Sequence, residues 1–150
     1  MKLSTTFFGE IEIPDDKVIT FDIGLPAFPD EKSFVIIHDE ENEDSIFCWL
    51  QSTTTPVLVF PIMDTISVLS DYSPHIPEKE LMDICEKEDD DLFIYNIATI
   101  KSTVTDITVN LKAPVIINLK TKKGRQFILE DDKYSIHHKV FEEIQKRKKV

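Results

Sequence analysis

The sequence predicts a mostly β fold, a compact antiparallel β-barrel-like single domain with one short helix. Three observations carry that expectation. There are about nine or ten short runs rich in Ile, Val, Phe and Thr with turn residues between them. One segment has helical periodicity, and no linker, repeat or low-complexity stretch divides the 150 residues. A chain of that length reads as one domain, 1–150, able to bury roughly 68–70% of the surface its unfolded form exposes. The 41% hydrophobic content is too high for a disordered chain.

The elements follow in chain order. Residues 7–13 alternate in their second half as a half-buried strand does, Pro14-Asp15-Asp16 supplies a turn, and residues 18–21 read as the return strand. Gly24-Leu25-Pro26-Ala27-Phe28-Pro29-Asp30 is a Pro/Gly-punctuated loop with two large apolar residues that need packing partners. Residues 33–38 and 46–50 read as strands on either side of the acidic loop Asp39-Glu40-Glu41-Asn42-Glu43-Asp44, and residues 57–62 and 65–69 continue the series. After Pro77, which suits a first helical position, residues 78–86 place Leu81, Ile84 and Cys85 on one helical face. Residues 92–100, 106–112, 114–121 and 125–129 are further strands, with Lys122-Lys123-Gly124 as a hairpin turn. Residues 139–150 form a basic tail, read as helical or disordered.

Charge is unevenly spread. Residues 1–100 hold 5 of the Lys and Arg against 22 Asp and Glu, whereas residues 101–150 hold 12 against 6. A body of that sign repels phosphate backbones, so direct nucleic-acid binding is not expected, and encounter with a basic protein surface is. No window approaches the ~18 apolar residues of a membrane span, and the first residues lack the basic and apolar regions of a signal peptide. The expected place is the cytoplasm, with Cys48 and Cys85 as buried thiols, since their spacing signals neither metal nor disulfide.

Catalysis finds no residues to rest on. The three glycines, Gly9, Gly24 and Gly124, are too far apart for a dinucleotide or phosphate loop or a nucleophile elbow. The 39–44 loop lacks the glycine of a calcium loop and has Leu50 where the bidentate Glu belongs. His137 and His138 are adjacent, so on a strand they point to opposite faces and do not readily share an ion. No enzyme activity, cofactor or metal is expected.

Several segments in order carry a resemblance: Gly9-Glu10-Ile11-Glu12-Ile13, Phe21-Asp22-Ile23-Gly24-Leu25-Pro26-Ala27-Phe28, Phe47-Cys48-Trp49-Leu50-Gln51-Ser52, Pro56-Val57-Leu58-Val59-Phe60, Asn110-Leu111-Lys112-Ala113-Pro114-Val115-Ile116-Ile117-Asn118, Gly124-Arg125-Gln126-Phe127-Ile128-Leu129, and Tyr134-Ser135 before His138. Taken together they resemble the FliW family of bacterial flagellar assembly factors. Two positions depart from its pattern, Ala27 where a second glycine is typical and His137 where arginine is. The resemblance implies a barrel-like fold without enzyme activity. It also implies two protein partners: flagellin, and the basic RNA-binding regulator CsrA, which FliW proteins hold away from flagellin messenger RNA.

Shared residues are not automatically contacts. Trp49, Leu50, Phe60, Val115 and Ile117 alternate on strands and read as core. Contact candidates are residues read as loop positions with no obvious core role, Phe28, Gln51, Asn110 and Lys112. The acids Asp39, Glu40, Glu41, Glu43, Asp44, Glu88, Asp89, Asp90 and Asp91 join them as steering charges. A groove near Phe28 and Gln51 is the expected seat for an apolar stripe of a flagellin helix. The alternative, a barrel holding a small molecule, needs a polar interior, and the strands offer mainly Ile, Val, Leu and Phe.

Overall fold

A computed structural model of the chain describes residues 1–38, 46–85 and 90–148. β1 (Lys2–Thr5), which alternates exposed and buried residues, pairs with β2 (Gly9–Glu12) as an antiparallel hairpin, in register from Lys2↔Glu12 to Thr5↔Gly9. This pair stands as its own two-stranded sheet. The remaining strands are β3 (Ile19–Thr20), β4 (Ser33–Ile37), β5 (Phe47–Ser52), β6 (Val59–Asp64), β7 (Leu92–Thr99), β8 (Thr108–Val109), β9 (Val115–Asn118), β10 (Lys123–Gln126) and β11 (His138–Lys139). The helices are α1 (Glu78–Leu81) and α2 (Phe141–Lys148).

Among the described residues these strands run β11-β8-β7-β6-β5-β4-β3-β10-β9, and β9 pairs back onto β7. Seven of them, β7-β6-β5-β4-β3-β10-β9, therefore form a closed barrel. Closure depends on the length of β7, which pairs β9 through Leu92–Tyr95 and β8 through Ala98–Thr99 along the same edge. Every contact in the ring is antiparallel except β3 with β10, joined at Thr20↔Lys123, where the Thr20 amide also donates to the Lys122 carbonyl at 2.8 Å.

The inward positions fill the barrel. Phe21, Phe34, Leu50, Ile62, Val115 and Ile117 have no exposed surface, and Phe21 meets Phe34 edge-on at 5.1 Å. Full burial of side chains of this size contributes about 1.5–3 kcal/mol each. The interior is thus a packed core, as the composition of the strands indicates. Leu50, Val115 and Ile117 are buried as expected, Phe60 is half-buried against the core, and Trp49 lies half-buried with its ring 6.0 Å from that of Phe8.

Two further clusters build outward. Met63, Tyr72, Ala98, Val109, Leu111 and Val140 pack beneath β8 and the start of α2. Ile76, Ile84, Ile116, Phe127 and Leu129 pack the α1 region onto β9.

The structure corrects the sequence reading at six places. A strand at residues 2–5, which the sequence reading omits, is the partner of β2, while the 18–21 segment joins the barrel instead of returning along β2. Residues 65–69 are not a strand: Thr65–Ser67 is a 3-10 turn, with the Leu69 amide 2.7 Å from the Thr65 carbonyl. The helix after Pro77 stops at Leu81, although Ile84 is buried as its face predicts. Gly124 lies inside β10 and the turn is at residues 119–122, with Lys122 in the left-handed region at φ 59°. Cys48 is buried, but Cys85 is only half-buried.

Candidate protein-binding face

One end of the barrel gathers three segments that the sequence separates. The β5–β6 turn, the 21–32 loop between β3 and β4, and the β1–β2 turn meet there because β4 begins beside the end of β5, with Phe34 opposite Ser52. Their meeting is fixed by polar side chains. Gln51 sits on strand β5 with no exposed surface, and its Nε2 lies 3.0, 3.2 and 3.2 Å from the carbonyls of Ser52, Pro56 and Leu58. The amide thus draws together three carbonyls of the turn, two of which, Pro56 and Leu58, also accept the backbone amides of Thr6 and Ser52 at 3.0 Å each.

Glu31 ties the neighbouring loop to that turn. Its carboxylate accepts hydrogen bonds from the Ser52 hydroxyl at 2.8 Å, the Thr54 hydroxyl at 3.1 Å and the Thr55 hydroxyl. The Thr55 hydroxyl above all holds the Glu31 carboxyl below its ordinary range, since such bonds favour the charged form. The hairpin turn joins through the Thr6 amide, 3.0 Å from the Pro56 carbonyl. Gly24 makes the loop's tight bend at φ +67°, where a Cβ would stand 2.4 Å from the Pro29 carbonyl oxygen. Phe28 comes back over the barrel mouth with its ring 5.7 Å from that of Phe60.

The expected contact residues divide. Phe28 is an exposed loop residue on this face. Gln51 is not: it is a buried strand residue, so what it gives the face is the shape of the turn. Asn110 and Lys112 are half-buried and lie in the β8–β9 connection, outside the three segments of this face. The Asn110 Oδ1 accepts the Lys112 amide at 3.1 Å, and the Lys112 ammonium lies 3.2 Å from Asp132.

The acids divide as well. Asp39, Glu40, Glu41, Glu43, Asp44, Glu88 and Asp89 lie outside the described residues. Asp91 is exposed, as a steering charge needs. Asp90 is not a solvated acid: its side chain is 3% exposed, accepts from Asn118 Nδ2 at 3.0 Å and lies 3.6 Å from the Lys120 ammonium. Residues that sequence reasoning missed are Phe7, Ile23 and Val57, exposed apolar side chains on the same three segments, and Glu31. The run Ser52-Thr53-Thr54-Thr55 was the available signal, since hydroxyls in a turn call for an acceptor nearby.

Among the described residues no group of three or more His, Cys, Asp or Glu is placed to hold a metal ion, and no helix is long and apolar enough to cross a membrane. A second polar centre lies around Asn96. Asn96, fully buried on β7, donates to the Asn110 carbonyl at 2.7 Å and the Tyr72 hydroxyl at 3.1 Å, and accepts from Thr65. Tyr72 passes the chain on to the Leu111 carbonyl at 2.7 Å, and burial pushes its phenol up to about 12.

The fold and sequence have known counterparts. The profile of the FliW protein family matches residues 2–140. The chain belongs to the FliW family. It is 37% identical over 150 residues to the flagellar assembly factor FliW of Lachnoclostridium phytofermentans, covering 99% of this chain and 96% of that one. It is 41% identical over 145 residues to the FliW of Caldanaerobacter subterraneus subsp. tengcongensis, covering 96% and 95%. A crystal structure of the flagellar assembly factor FliW superposes with a TM-score of 0.83 at 33% identity, over 94% of this chain and 97% of that one. The expected family and the expected barrel-like fold are both confirmed, and the FliW barrel described above is the frame on which the exposed segments are held.

Proposed function

We propose that this chain is a non-enzymatic, cytoplasmic regulator of flagellum assembly that works by binding proteins. It binds the translational regulator CsrA and so relieves repression of flagellin messenger RNA, and it binds flagellin. The observation that carries this reading is the acidic body, 22 acids against 5 bases in residues 1–100, on a barrel whose interior is filled by its own side chains. A filled barrel offers its outside, and an acidic outside attracts the basic surface that RNA also seeks. Once docked, the same charge repels RNA, so the regulator's RNA affinity falls whether or not the two footprints overlap.

The test is co-purification from an extract of the source cells with this chain as bait. The reading expects the CsrA homologue and soluble flagellin among the captured proteins. Capture of CsrA without flagellin would leave only the translational half, and capture of neither would overturn the proposal.

A further inference from the structure

We infer that the barrel end formed by residues 6–10, 22–31 and 52–58 is a docking face for a protein segment that carries apolar side chains flanked by lysine or arginine. Four large apolar residues point outward there. Phe7 is 66% exposed, Val57 61%, Ile23 58% and Phe28 41%. Other exposed apolar residues, such as Ile100, Ile128 and Ile136, lie outside these three segments, and exposed apolar residues by themselves are ordinary on a protein surface. Four together on three pinned segments mark an interaction site.

The chemistry of the occupant follows from the charges. The three segments contain the acids Glu10, Asp22, Asp30 and Glu31 and no lysine or arginine. The bases at the border are Lys32, exposed beside Glu31, and Lys123, whose ammonium lies 3.3 Å from Asp22. Glu31 is engaged by hydroxyls, which leaves Glu10 and Asp30 as exposed acids facing an arriving chain. A second copy of this chain would bring the same acids against them, so self-association is disfavoured and a base-flanked apolar anchor is favoured.

The face is also set before binding. Gln51, Glu31 and the Thr6–Pro56 hydrogen bond fix the segments, and ring contacts seat Phe28 on Phe60 and Phe8 on Trp49. Little ordering cost is then left for the moment of association.

This inference rests on the reading of the chain as a protein-binding regulator, and its experiment separates the two. Two synthetic amphipathic peptides with identical Leu and Phe positions, one with Lys and one with Glu between them, are titrated into the full chain and followed by fluorescence anisotropy. The chain is used as wild type, as the double variant Phe7→Ser/Val57→Ser, and as the control Ile128→Ser. The Lys peptide is expected to bind wild type and the control alike, about tenfold or more tighter than the Glu peptide does. The double variant should lose about tenfold or more of that affinity while keeping its melting temperature, because both residues are exposed. Amide shifts on wild type with the Lys peptide should map to residues 6–10, 22–31 and 52–58.

Equal binding of the two peptides, shifts elsewhere, or unchanged binding by the double variant would overturn the proposal. So would a wild-type dimer that the double variant abolishes in sedimentation. If the double variant binds both the Lys peptide and the CsrA homologue like wild type, this face is wrong and the regulator reading stands. If the Lys peptide binds here and neither regulator nor flagellin does, the face stands and the regulator reading fails.

Discussion

Gln51 and Asp90 show how far a residue type is from a role. Both are polar and lie beside loop-like sequence, yet Gln51 has no exposed surface and the Asp90 side chain is 3% exposed. Nothing in a single sequence tells a buried acceptor from a solvated one, because the partners, Ser52 to Leu58 for one and Asn118 with Lys120 for the other, are brought there by the barrel. Replacing Gln51 with Ala should remove the buried amide's hydrogen bonds to the turn and cost about 1–3 kcal/mol, read as a lowered urea midpoint. Asp90→Ala should destabilise by a similar amount, about 1–3 kcal/mol, while Asp91→Ala at the exposed neighbour should stay within about 0.5 kcal/mol. The two acids would then differ in melting temperature, which a purely steering role for both does not allow. Glu31 gives a pH signature. Its carboxyl is held below the ordinary value of 4.5, so its contribution to stability is present above pH 4.5 and is lost as the pH falls through the lowered folded value. Glu31→Gln should remove that part of the acid limb of the stability–pH curve. Tyr72 acts at the other end: its phenol is raised from 10 to about 12, so stability is lost as the pH rises across that window, and Tyr72→Phe should flatten the loss.

At the level of elements, the existence of most strands is legible and their bounds are not. Residues 33–38, 46–50 and 92–100 declare themselves by β-branched and aromatic content, and the structure places β4 (Ser33–Ile37), β5 (Phe47–Ser52) and β7 (Leu92–Thr99) there. Residues 65–69 carry the same alternation but turn, because the Thr65 hydroxyl is drawn to buried Asn96 and Met63 and the chain closes on itself at Val68 and Leu69. Tertiary hydrogen bonding outweighs local propensity there. The two-residue strands β3 and β8 lie inside the longer runs read at 18–21 and 106–112, and β11 has no such run; partners, not local pattern, set the bounds of strands this short. Gly124 was read as a turn residue because glycine commonly supplies φ > 0, but here Lys122 does so and Gly124 makes room for Phe21. A Cβ at Gly124 would lie 2.7 Å from the Phe21 ring, so Gly124→Ala should cost about 1–3 kcal/mol by overpacking. Lys122→Gly should do the reverse by a few tenths to about 1 kcal/mol, since the left-handed conformation is relieved of its side chain. Paired chemical denaturation curves read both signs.

For the whole molecule, the fold class and the sign of the surface were legible and the assembled face was not. Composition and strand content indicate a filled barrel, and the uneven charge indicates an acidic surface; both are sums over many residues and tolerate local error. The face of Phe7, Ile23, Phe28 and Val57 joins positions up to fifty residues apart through Glu31, Thr6 and Pro56, and so required the closed topology. The central claim is that this acidic exterior captures a basic, RNA-binding protein. The measurement that tests it most directly is calorimetric titration of the chain into the CsrA homogue of its own cells at a series of salt concentrations. The account predicts a complex at low salt, at micromolar or tighter affinity (about −8.2 kcal/mol at 1 μM), that weakens steadily as salt screens the charges. No heat and no complex at tens of micromolar protein, or an affinity indifferent to salt, would contradict it.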